Sequence, residues 1–598
     1  MENTKIQTLG GDFVIKQTLA NTVFTPEDFS EEQLMMKESV IEFVDRDIVP
    51  NRERFEQKDF DLTKKLMSKA GDLGFLGVAV PEEYNGLGMP FTSTMLVCDY
   101  ISGANGSFST AFGAHTGIGT MPITLYGNEK QKQKYVSKLA TGEWFGAYCL
   151  TEPGAGSDAN SGKTKAVLSE DGTHYKITGQ KMWITNAGFA DILIVFARIE
   201  DDKNITGFIV PKDLENGITL GDEENKLGIK ASSTRQVFFN ETKVPVENML
   251  AGRGDGFKIG MNALNVGRIK LAAACIEAQR RISTLAIQYA TERVQFKTPI
   301  AEFGAIQYKL ANMAMETYAS ESASYRAAFD IEEKINELLE QGVSHQEAEL
   351  KGVEEFAIEC SILKVSVSEK AQKCSDEGIQ IFGGMGFSAD APMEMAWRDA
   401  RIARIYEGTN EINRMLSIGM LLKKAFKGDI DLMTPATAVG QELMTGIPKA
   451  EISNKLFAEE KYLIENMKKV LLMITGAAVQ KFGPKFEKEQ QIILALSDIL
   501  IEIYMAESTI LRTEKNCDRF GADSRKNQIE MSQLYLFNAI ENINRSGKEA
   551  IVSFAEGVHL KGMLSGMKQY SKYTNYPNIV GLRRSIASTL IEENKYPF

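Results

Sequence analysis

The sequence has few of the residues that build metal sites, disulfide frameworks or rigid linkers. Its 598 residues include four histidines, six cysteines and 15 prolines. The cysteines lie apart, without the paired spacing of a zinc site or a disulfide framework, which indicates a reducing compartment. We therefore expect neither a metal ion nor structural disulfides, and no long proline-rich linker.

A long apolar run and an excess of positive charge are also missing. The most apolar short stretch, residues 470–479, is too short to cross a bilayer. The first residues contain acids and glycines in place of the apolar core of a signal peptide. The net charge of −12 argues against a general affinity for nucleic acid. We expect a cytoplasmic protein with no nucleic-acid partner.

The residue pattern predicts a mainly α chain with a middle antiparallel β domain. Helical spacing of apolar residues occurs before and after a region of short β-branched and aromatic segments separated by turn residues. A βαβ alternation is missing, which argues against a doubly wound nucleotide fold. The predicted parts are an N-terminal extension (1–30), a helical domain (31–145), a β domain (146–255), a helical bundle (256–426), a linker (427–454) and an extra helical domain (455–598).

Two segments of the predicted β domain could hold a ligand. The glycines of CLTEPGAGSD let the backbone approach a ligand closely, and Thr151 and Ser157 add hydroxyl groups. In KMWITNA, Trp183 and Thr185 share one face of a strand, so an aromatic plane lies beside a hydroxyl. The alternatives are a strand-to-strand turn and a core tryptophan, and these residues alone leave them open.

A third segment, QIFGGMGF, combines three glycines in four positions with the amide of Gln380. The run permits close packing or contact with a phosphate. Further along, Thr409 can cap a helix that has Glu411 in its first turn. A helix N-terminus of this kind stabilises a pyrophosphate.

Glu407 stands between an aromatic ring, Tyr406, and a flexible residue, Gly408, in the sequence RIYEGTNEINR. A carboxylate in this setting could be a turn acid that faces water. It could also be a partly dry general base, because an apolar pocket raises the pKa of a carboxyl group. The local stretch leaves both interpretations open.

Together these segments resemble the acyl-CoA dehydrogenase family. The sequences CLTEPGAGSD, WITN, QIFGGMGF and YEGTNEI follow the family's order and spacing, and VPEEYNGLG belongs to the same pattern. The resemblance covers residues 30 to about 425, and residues 430–598 look like the extension of the very-long-chain branch. It implies a helical N-terminal domain, a β-barrel-like middle domain and a four-helix bundle, with FAD between the last two.

The resemblance also implies the residues that contact FAD. Those near the flavin are Tyr148, Leu150, Thr151, Ser157, Trp183 and Thr185. Those near the pyrophosphate or adenosine are Gln380, Gly384, Thr409 and Glu411, with Arg293, Gln295 and Phe296 supplied by the second subunit of a homodimer.

The substrate residues are likewise implied by the resemblance. The CoA part would meet Ser157, Asn265 and Arg268, and the acyl pocket would include Gly113, Gly117, Tyr406 and Gly408. The small residues of the segment 109–122 would leave room for a long chain. The alternative is that they let two helices pack closely.

The family reaction converts a fatty acyl-CoA to trans-2-enoyl-CoA, the first step of β-oxidation. A base takes the α proton while a hydride passes to the flavin, and electrons then pass to an electron-transferring flavoprotein. The family places its base either in YEGT or just before an arginine on an earlier helix. Gly267 holds that earlier position here, so the resemblance assigns the base to Glu407. The alternatives are an acyl-CoA oxidase that uses dioxygen and an assembly protein on the same fold.

The segment 457–486 mixes lysines with an apolar face, which is typical of a helix at a membrane surface. A peripheral position at the inner face of the membrane is therefore one expectation for the extra domain. The alternative is a core helix of a domain that covers the dehydrogenase bundle.

Overall fold

The computed structural model describes residues 8–448 and 451–598, and helices build the first part of the chain. The first helix begins at Glu31 because the Ser30 side chain accepts a hydrogen bond from the backbone N–H of Gln33, whose own side chain returns the contact. The helices before the sheet are α1 (Glu31–Phe43), α2 (Arg52–Glu56), α3 (Phe60–Asp72), α4 (Phe91–Ser102), α5 (Gly106–Gly113), α6 (Met121–Tyr126) and α7 (Glu129–Thr141).

The middle domain is one sheet of eight strands in the order β6-β7-β3-β2-β4-β5-β8, with β1 beside β4. Two pairings, β1 with β4 and β2 with β4, are parallel, whereas we expected an antiparallel sheet throughout. The chain runs back along β3, which is antiparallel to β2, before it enters β4, so β4 again has the direction of β1 and β2. The strands are β1 (Gly146–Cys149), β2 (Lys165–Leu168), β3 (His174–Thr185), β4 (Ile192–Ile199), β5 (Thr206–Pro211), β6 (Ile218–Leu220), β7 (Thr234–Pro245) and β8 (Met249–Leu250).

The second helical block is a bundle in which α12 packs against α8, α9, α10 and α14. A short hairpin, β9 (Val294–Gln295) with β10 (Thr298–Pro299), projects between two of its helices. The helices are α8 (Gly256–Ala274), α9 (Ile276–Glu292), α10 (Gly304–Glu340), α11 (His345–Glu355), α12 (Ala357–Phe382), α13 (Pro392–Arg401) and α14 (Asn410–Lys427).

The extra C-terminal domain lies against this bundle, since α17 packs on α10 and α14. Part of the predicted linker is itself a helix, α15, because Val439 is buried where α15 packs against α16. Because that stretch is mostly polar, its few packing positions were not recognised in the sequence. The helices are α15 (Met433–Thr445), α16 (Ala458–Phe482), α17 (Gln490–Phe520), α18 (Lys526–Phe554), α19 (Gly557–Tyr570) and α20 (Ile579–Glu593).

Buried ion pairs connect the N-terminal domain, the bundle and the C-terminal domain. Arg280 of α9 pairs with Asp99 of α4 at 2.8 Å and also with Glu321 of α10. Glu321 in turn pairs with Arg512 of α17 at 2.6 Å, and Arg512 reaches Glu27 at 2.7 Å. Because these charges are out of water, each needs its partner in place. The network ties the three parts of the chain into one body.

The apolar face of α16 is directed into the protein, which favours the core-helix interpretation of the segment 457–486. Its buried side chains include Leu463, Met467, Val470, Leu471 and Ile474. They pack among the neighbouring helices of the C-terminal domain and are not available to a lipid surface. Within the described residues, no helix has the length and apolar character needed to span a membrane.

Candidate active site

The loop that carries Glu407 is a sharp turn between α13 and α14. Glu407 and Gly408 both have left-handed backbones, with φ of 59° and 82°. A left-handed glutamate costs of order 1–3 kcal/mol, which the surrounding contacts must offset. Directly after the turn, the Thr409 hydroxyl accepts a hydrogen bond from the backbone N–H of Ile412 at 3.3 Å and caps α14.

Three buried side chains hold the backbone of this turn. The Lys364 ammonium donates to the carbonyl of Gly408 at 2.7 Å, and the Asn413 amide donates to the same carbonyl at 2.8 Å. The Arg268 guanidinium donates to the carbonyl of Glu407 at 3.2 Å. These contacts to the main chain of Glu407 and Gly408 therefore fix the direction of the Glu407 side chain.

The Glu407 carboxylate lies directly over Gly267 of α8. A β-carbon at position 267 would stand only 2.6 Å from Oε2. This oxygen is buried, and no described residue gives it a hydrogen bond. Burial raises the pKa of Glu407 to about 7, although the positive charges of Arg268 and Lys364 oppose the rise. The acid is therefore partly buried and does not face open water as a turn acid would, while its role as a general base stays a prediction.

Tyr148, at the end of β1, connects the sheet with this carboxylate. Its hydroxyl is buried without a partner among the described residues, and it would lie 3.3 Å from a β-carbon at Gly260 of α8. Burial, together with the charge of Glu407, raises the pKa of Tyr148 well above its usual value. Leu150, two residues on, is also buried. The two side chains form the inner end of a surface that continues to Thr151.

The indole of Trp183 extends that surface and is 54% exposed. It stands at a bulge of β3 with φ of 60°, so the regular alternation on which we paired it with Thr185 is interrupted there. The backbone N–H of Met182 donates to the carbonyl of Thr151 at 3.0 Å, which fixes the loop beside the indole. The core-tryptophan alternative is wrong, because the ring faces outward.

The glycine loops around this surface leave space for a ligand. Ser157 is exposed, and nothing lies within 4 Å of a β-carbon built at Gly154, Gly156 or Gly384. An exposed indole, an unpartnered buried phenol and open glycine backbones suit a flat ring joined to a pyrophosphate. The residues present therefore fit FAD.

The remaining residues predicted to contact the cofactor lie at exposed positions. Gln380 is exposed in the last turn of α12, next to the glycine run, and Glu411 is exposed in the first turn of α14. The hairpin after α9 presents Phe296, which is 91% exposed. Arg293 and Gln295 of that hairpin are exposed as well. None of these three hairpin residues is brought to the turn of Glu407 within this one chain, so their expected role depends on a second subunit.

The predicted substrate residues divide into two groups. Asn265 and Arg268 are buried and bonded to each other at 2.7 Å, where they support the Glu407 turn. Their contact with CoA stays a prediction. Gly113 has open space within 4 Å of a β-carbon, whereas Gly117 faces the Lys270 side chain at 3.9 Å.

A stretch of π-helix, residues 114–119, interrupts this part of the chain, as it often does at functional sites. Side chains of the segment 109–122 line a cavity, among them Phe112, Thr116 and Met121. The segment therefore borders an internal space, and close helix packing does not account for Gly113. Tyr406 is partly buried against the core, and burial raises the pKa of its phenol.

Four family descriptions match successive parts of the chain. They are the N-terminal domain (30–143), the middle domain (147–242) and the C-terminal domain (254–421) of acyl-CoA dehydrogenase, and a second acyl-CoA dehydrogenase C-terminal domain (466–569). A probable acyl-CoA dehydrogenase of Bacillus subtilis (strain 168) is 41% identical over 98% of this chain and 98% of its own length. The chain belongs to the acyl-CoA dehydrogenase family.

Solved structures and other relatives agree with this assignment. An acyl-CoA dehydrogenase from Bacillus anthracis complexed with FAD has a TM-score of 0.96 and 42% identity, and the match covers 99% of this chain and 100% of that one. The butyryl-CoA dehydrogenase of Megasphaera elsdenii has a TM-score of 0.60 and 34% identity over 66% of this chain and 99% of that one. The human very long-chain specific acyl-CoA dehydrogenase is 39% identical over 65% of this chain and 58% of its own length.

For this acyl-CoA dehydrogenase, the predictions of family, fold class and oxidoreductase activity are confirmed. The prediction of FAD is confirmed for the family. The domain limits and the roles of the individual site residues stay predictions.

Sequence reasoning missed two buried lysines that shape the site of this dehydrogenase. Lys364 binds the Glu407 turn, and Lys181 donates to the carbonyl of Leu150 at 3.2 Å and pairs with Glu152 at 2.7 Å. Glu152 also accepts from the backbone N–H of Thr164. Lys364 stands in the mostly apolar segment ILKVSV, which was a signal of a buried and partnered charge, whereas Lys181 follows Gly179 and Gln180 and gave no such signal.

Proposed function

We propose that this acyl-CoA dehydrogenase oxidises long-chain fatty acyl-CoA to trans-2-enoyl-CoA, with Glu407 as the base. The observation that carries the proposal is the Glu407 carboxylate over Gly267, whose buried Oε2 accepts no hydrogen bond from the described residues. An acceptor oxygen without a partner is available to a proton of the substrate. No other carboxyl group occupies either family position of the base.

The pKa of about 7 for Glu407 suits proton removal near neutral pH. A general base works best when its pKa is close to the operating pH, because it is then both ionised and basic enough. Bound thioester would exclude water from the carboxylate and strengthen its contact with the α proton. Arg268 and Lys364 keep a fraction of the carboxyl groups ionised by opposing the effect of burial.

The proposed cofactor surface consists of Tyr148, Thr151 and Trp183, with the open backbone at Gly384 as the candidate pyrophosphate contact. FAD would supply the hydride acceptor for the β carbon. The protein's part is to orient the acyl chain between this surface and Glu407 and to keep water out.

A long-chain preference is supported by the open space at Gly113 and by relatives named very long-chain specific. A ladder of acyl-CoA lengths tests it. We expect kcat/KM to be largest for chains of twelve carbons or more. A maximum at four to six carbons would refute the preference while leaving the dehydrogenase activity intact.

We also propose a homodimer and an electron-transferring flavoprotein as the electron acceptor. The support for the dimer is the exposed hairpin, where the Phe296 side chain is 91% exposed even though its ring lies 6.1 Å from that of Phe303. We expect light scattering to give twice the chain mass. A monomer that retains FAD and full activity would contradict this part of the proposal.

The central experiment is the visible spectrum of the purified holoenzyme under anaerobic conditions, before and after palmitoyl-CoA. We expect bleaching of the flavin band in the native protein, and none in Glu407→Gln with the same FAD content. Electron-transferring flavoprotein should then restore the band, whereas an oxidase would restore it with air and release peroxide. Unchanged bleaching in Glu407→Gln would remove that residue from the base role, and no bleaching in the native protein would favour an assembly role.

A further inference from the structure

Two neighbouring cavities lie where α4, the segment 109–122 and α8 meet. They share Thr94, Met121 and Lys270 in their walls. The rest of each wall is mostly apolar, with Phe112 in the first cavity and Val266 in the second. A polar group in such walls is expensive unless it has a partner.

Three polar side chains of these walls lack full hydrogen bonding. Lys270 is only 6% exposed, and its ammonium reaches the carbonyl of Thr116 at 3.4 Å and the sulfur of Met121 at 3.9 Å. No carboxylate of the described chain lies within 4.0 Å of it. The hydroxyls of Thr94 and Thr120 are buried and have no partner among the described residues. We call Thr94, Thr120 and Lys270 the polar cluster.

The polar cluster lies next to the proposed base. Lys270 follows Gly267 by three residues on α8, so both are on one face and about 4.5 Å apart along the helix axis. The stem of Lys270 passes Gly117, where a β-carbon would be 3.9 Å away. An acyl chain that extends from Glu407 along the segment 109–122 would therefore meet the cluster.

We propose that the polar cluster binds an oxygen atom carried by the acyl chain, so that the enzyme prefers oxygen-bearing acyl-CoA to plain acyl-CoA of the same length. This inference rests on the proposed function and narrows its substrate. An oxygen substituent accepts from the Lys270 ammonium and from a threonine hydroxyl. A plain alkyl chain would displace water from these groups and leave them unpaired, which a site built on hydrogen bonds disfavours.

Glu349 of α11 decides which oxygen group is favoured. It lines the second cavity with Lys270, and burial raises its pKa to about 7. A hydroxyl group can accept from Lys270 and donate to a Glu349 carboxylate. A carboxylate substituent would be repelled by an ionised Glu349, so it requires Glu349 to be protonated. Comparison of the two substituents therefore shows whether the cavity prefers a neutral hydroxyl group or an anion.

The test compares octanoyl-CoA, ω-hydroxyoctanoyl-CoA and the matching ω-carboxyl thioester, and repeats the set with sixteen carbons. Native holoenzyme, Lys270→Met, Thr94→Val and Lys258→Met are measured. Lys258 is exposed on the same helix, so its variant removes an equal charge away from the cavities. Turnover gives kcat/KM, and calorimetry gives the binding of each thioester whether or not it reacts.

We expect the ratio of oxygen-bearing to plain kcat/KM to fall about tenfold in Lys270→Met, and about threefold in Thr94→Val, with no change in Lys258→Met. FAD content and melting temperature show whether the variants fold, and Thr94→Val removes only a hydroxyl if Lys270→Met does not fold. The inference would be overturned if the native protein and both cluster variants gave the same ratio of oxygen-bearing to plain thioester, in turnover and in binding. Preferential binding of the oxygen-bearing thioester without any turnover would support the subsite and count against the proposed function alone.

Discussion

The Glu407 carboxylate occupies the space that any side chain at Gly267 would need, since a β-carbon there would stand 2.6 Å from Oε2. The two positions that the family uses for its base therefore meet at one point in space. In this chain only one of them can be filled. The glycine at 267 is required by the glutamate at 407, although the two are far apart in sequence.

Gly267→Ala should strongly reduce activity without removing FAD. The added methyl group displaces the carboxylate from its dry position, and a misplaced base loses about tenfold to a hundredfold in kcat. Anaerobic flavin bleaching by palmitoyl-CoA measures the rate. Gly419→Ala is the matched control, because it is also helical and its β-carbon meets nothing within 4 Å. Equal bleaching rates in the two variants would show that position 267 does not set the base.

Lys364→Met should change the pH dependence of kcat/KM as well as its size. Lys364 holds the Gly408 carbonyl, and its positive charge lowers the pKa of Glu407. Loss of that charge raises the pKa of the base, so the acid limb of the profile should move to higher pH. We expect about a tenfold loss at pH 7 and a smaller loss at pH 9.

A role of Lys364 in folding alone would lower activity by the same factor at every pH. Lys351→Met is the control for that experiment, because this lysine is exposed on α11 and pairs with the exposed Glu347. Its profile should match that of the native enzyme. A native profile with no ionisation near pH 7 would contradict the raised pKa of Glu407.

Glu407→Gln should be more stable than the native protein at pH 8 and nearly equal to it at pH 4. The folded-state pKa of Glu407 is raised from 4.5 to about 7, so the native state binds more protons than the unfolded state between these values. Native stability therefore falls as the pH rises through this window, and glutamine removes the effect. Melting temperatures at a series of pH values measure it. A pH-independent difference between the two proteins would contradict a buried carboxyl group.

Arg512→Met should destabilise the whole chain, because Arg512 bridges Glu27 and Glu321 where water is excluded. Removal of one partner of a buried pair leaves uncompensated charge and costs about 3–5 kcal/mol. Thermal unfolding followed by circular dichroism and by flavin fluorescence measures the loss.

Arg253→Met provides the comparison for this network. Arg253 pairs with Asp202 at 2.6 Å, but its side chain is 48% exposed, so we expect its removal to change the free energy of unfolding little, because water screens the pair. Equal losses in the two variants would mean that the buried network contributes no more than a surface pair. If only the C-terminal domain unfolded early in Arg512→Met, the network would join domains without stabilising the dehydrogenase bundle.

The sequence by itself determined the order of helical and β regions and the segments that surround the site. Serine caps, turn residues and periodic apolar positions act over a few residues, so they can be read locally. The motif YEGTNEI likewise identified Tyr406, Glu407 and Thr409 as members of one segment of the candidate site. The same local signals failed at α15, where few apolar residues pack, and in the parallel pairings of β4.

Only the tertiary structure decided whether Glu407 is dry, because that depends on Gly267, Arg268 and Lys364, which come from two other helices. The side chain of Trp183 faces outward because of the bulge in β3. The polar cluster exists only because α4 and α8 meet in the folded chain. Burial and charge are properties of the space around a residue. A pKa near neutrality therefore cannot be read from the residues beside it in the chain.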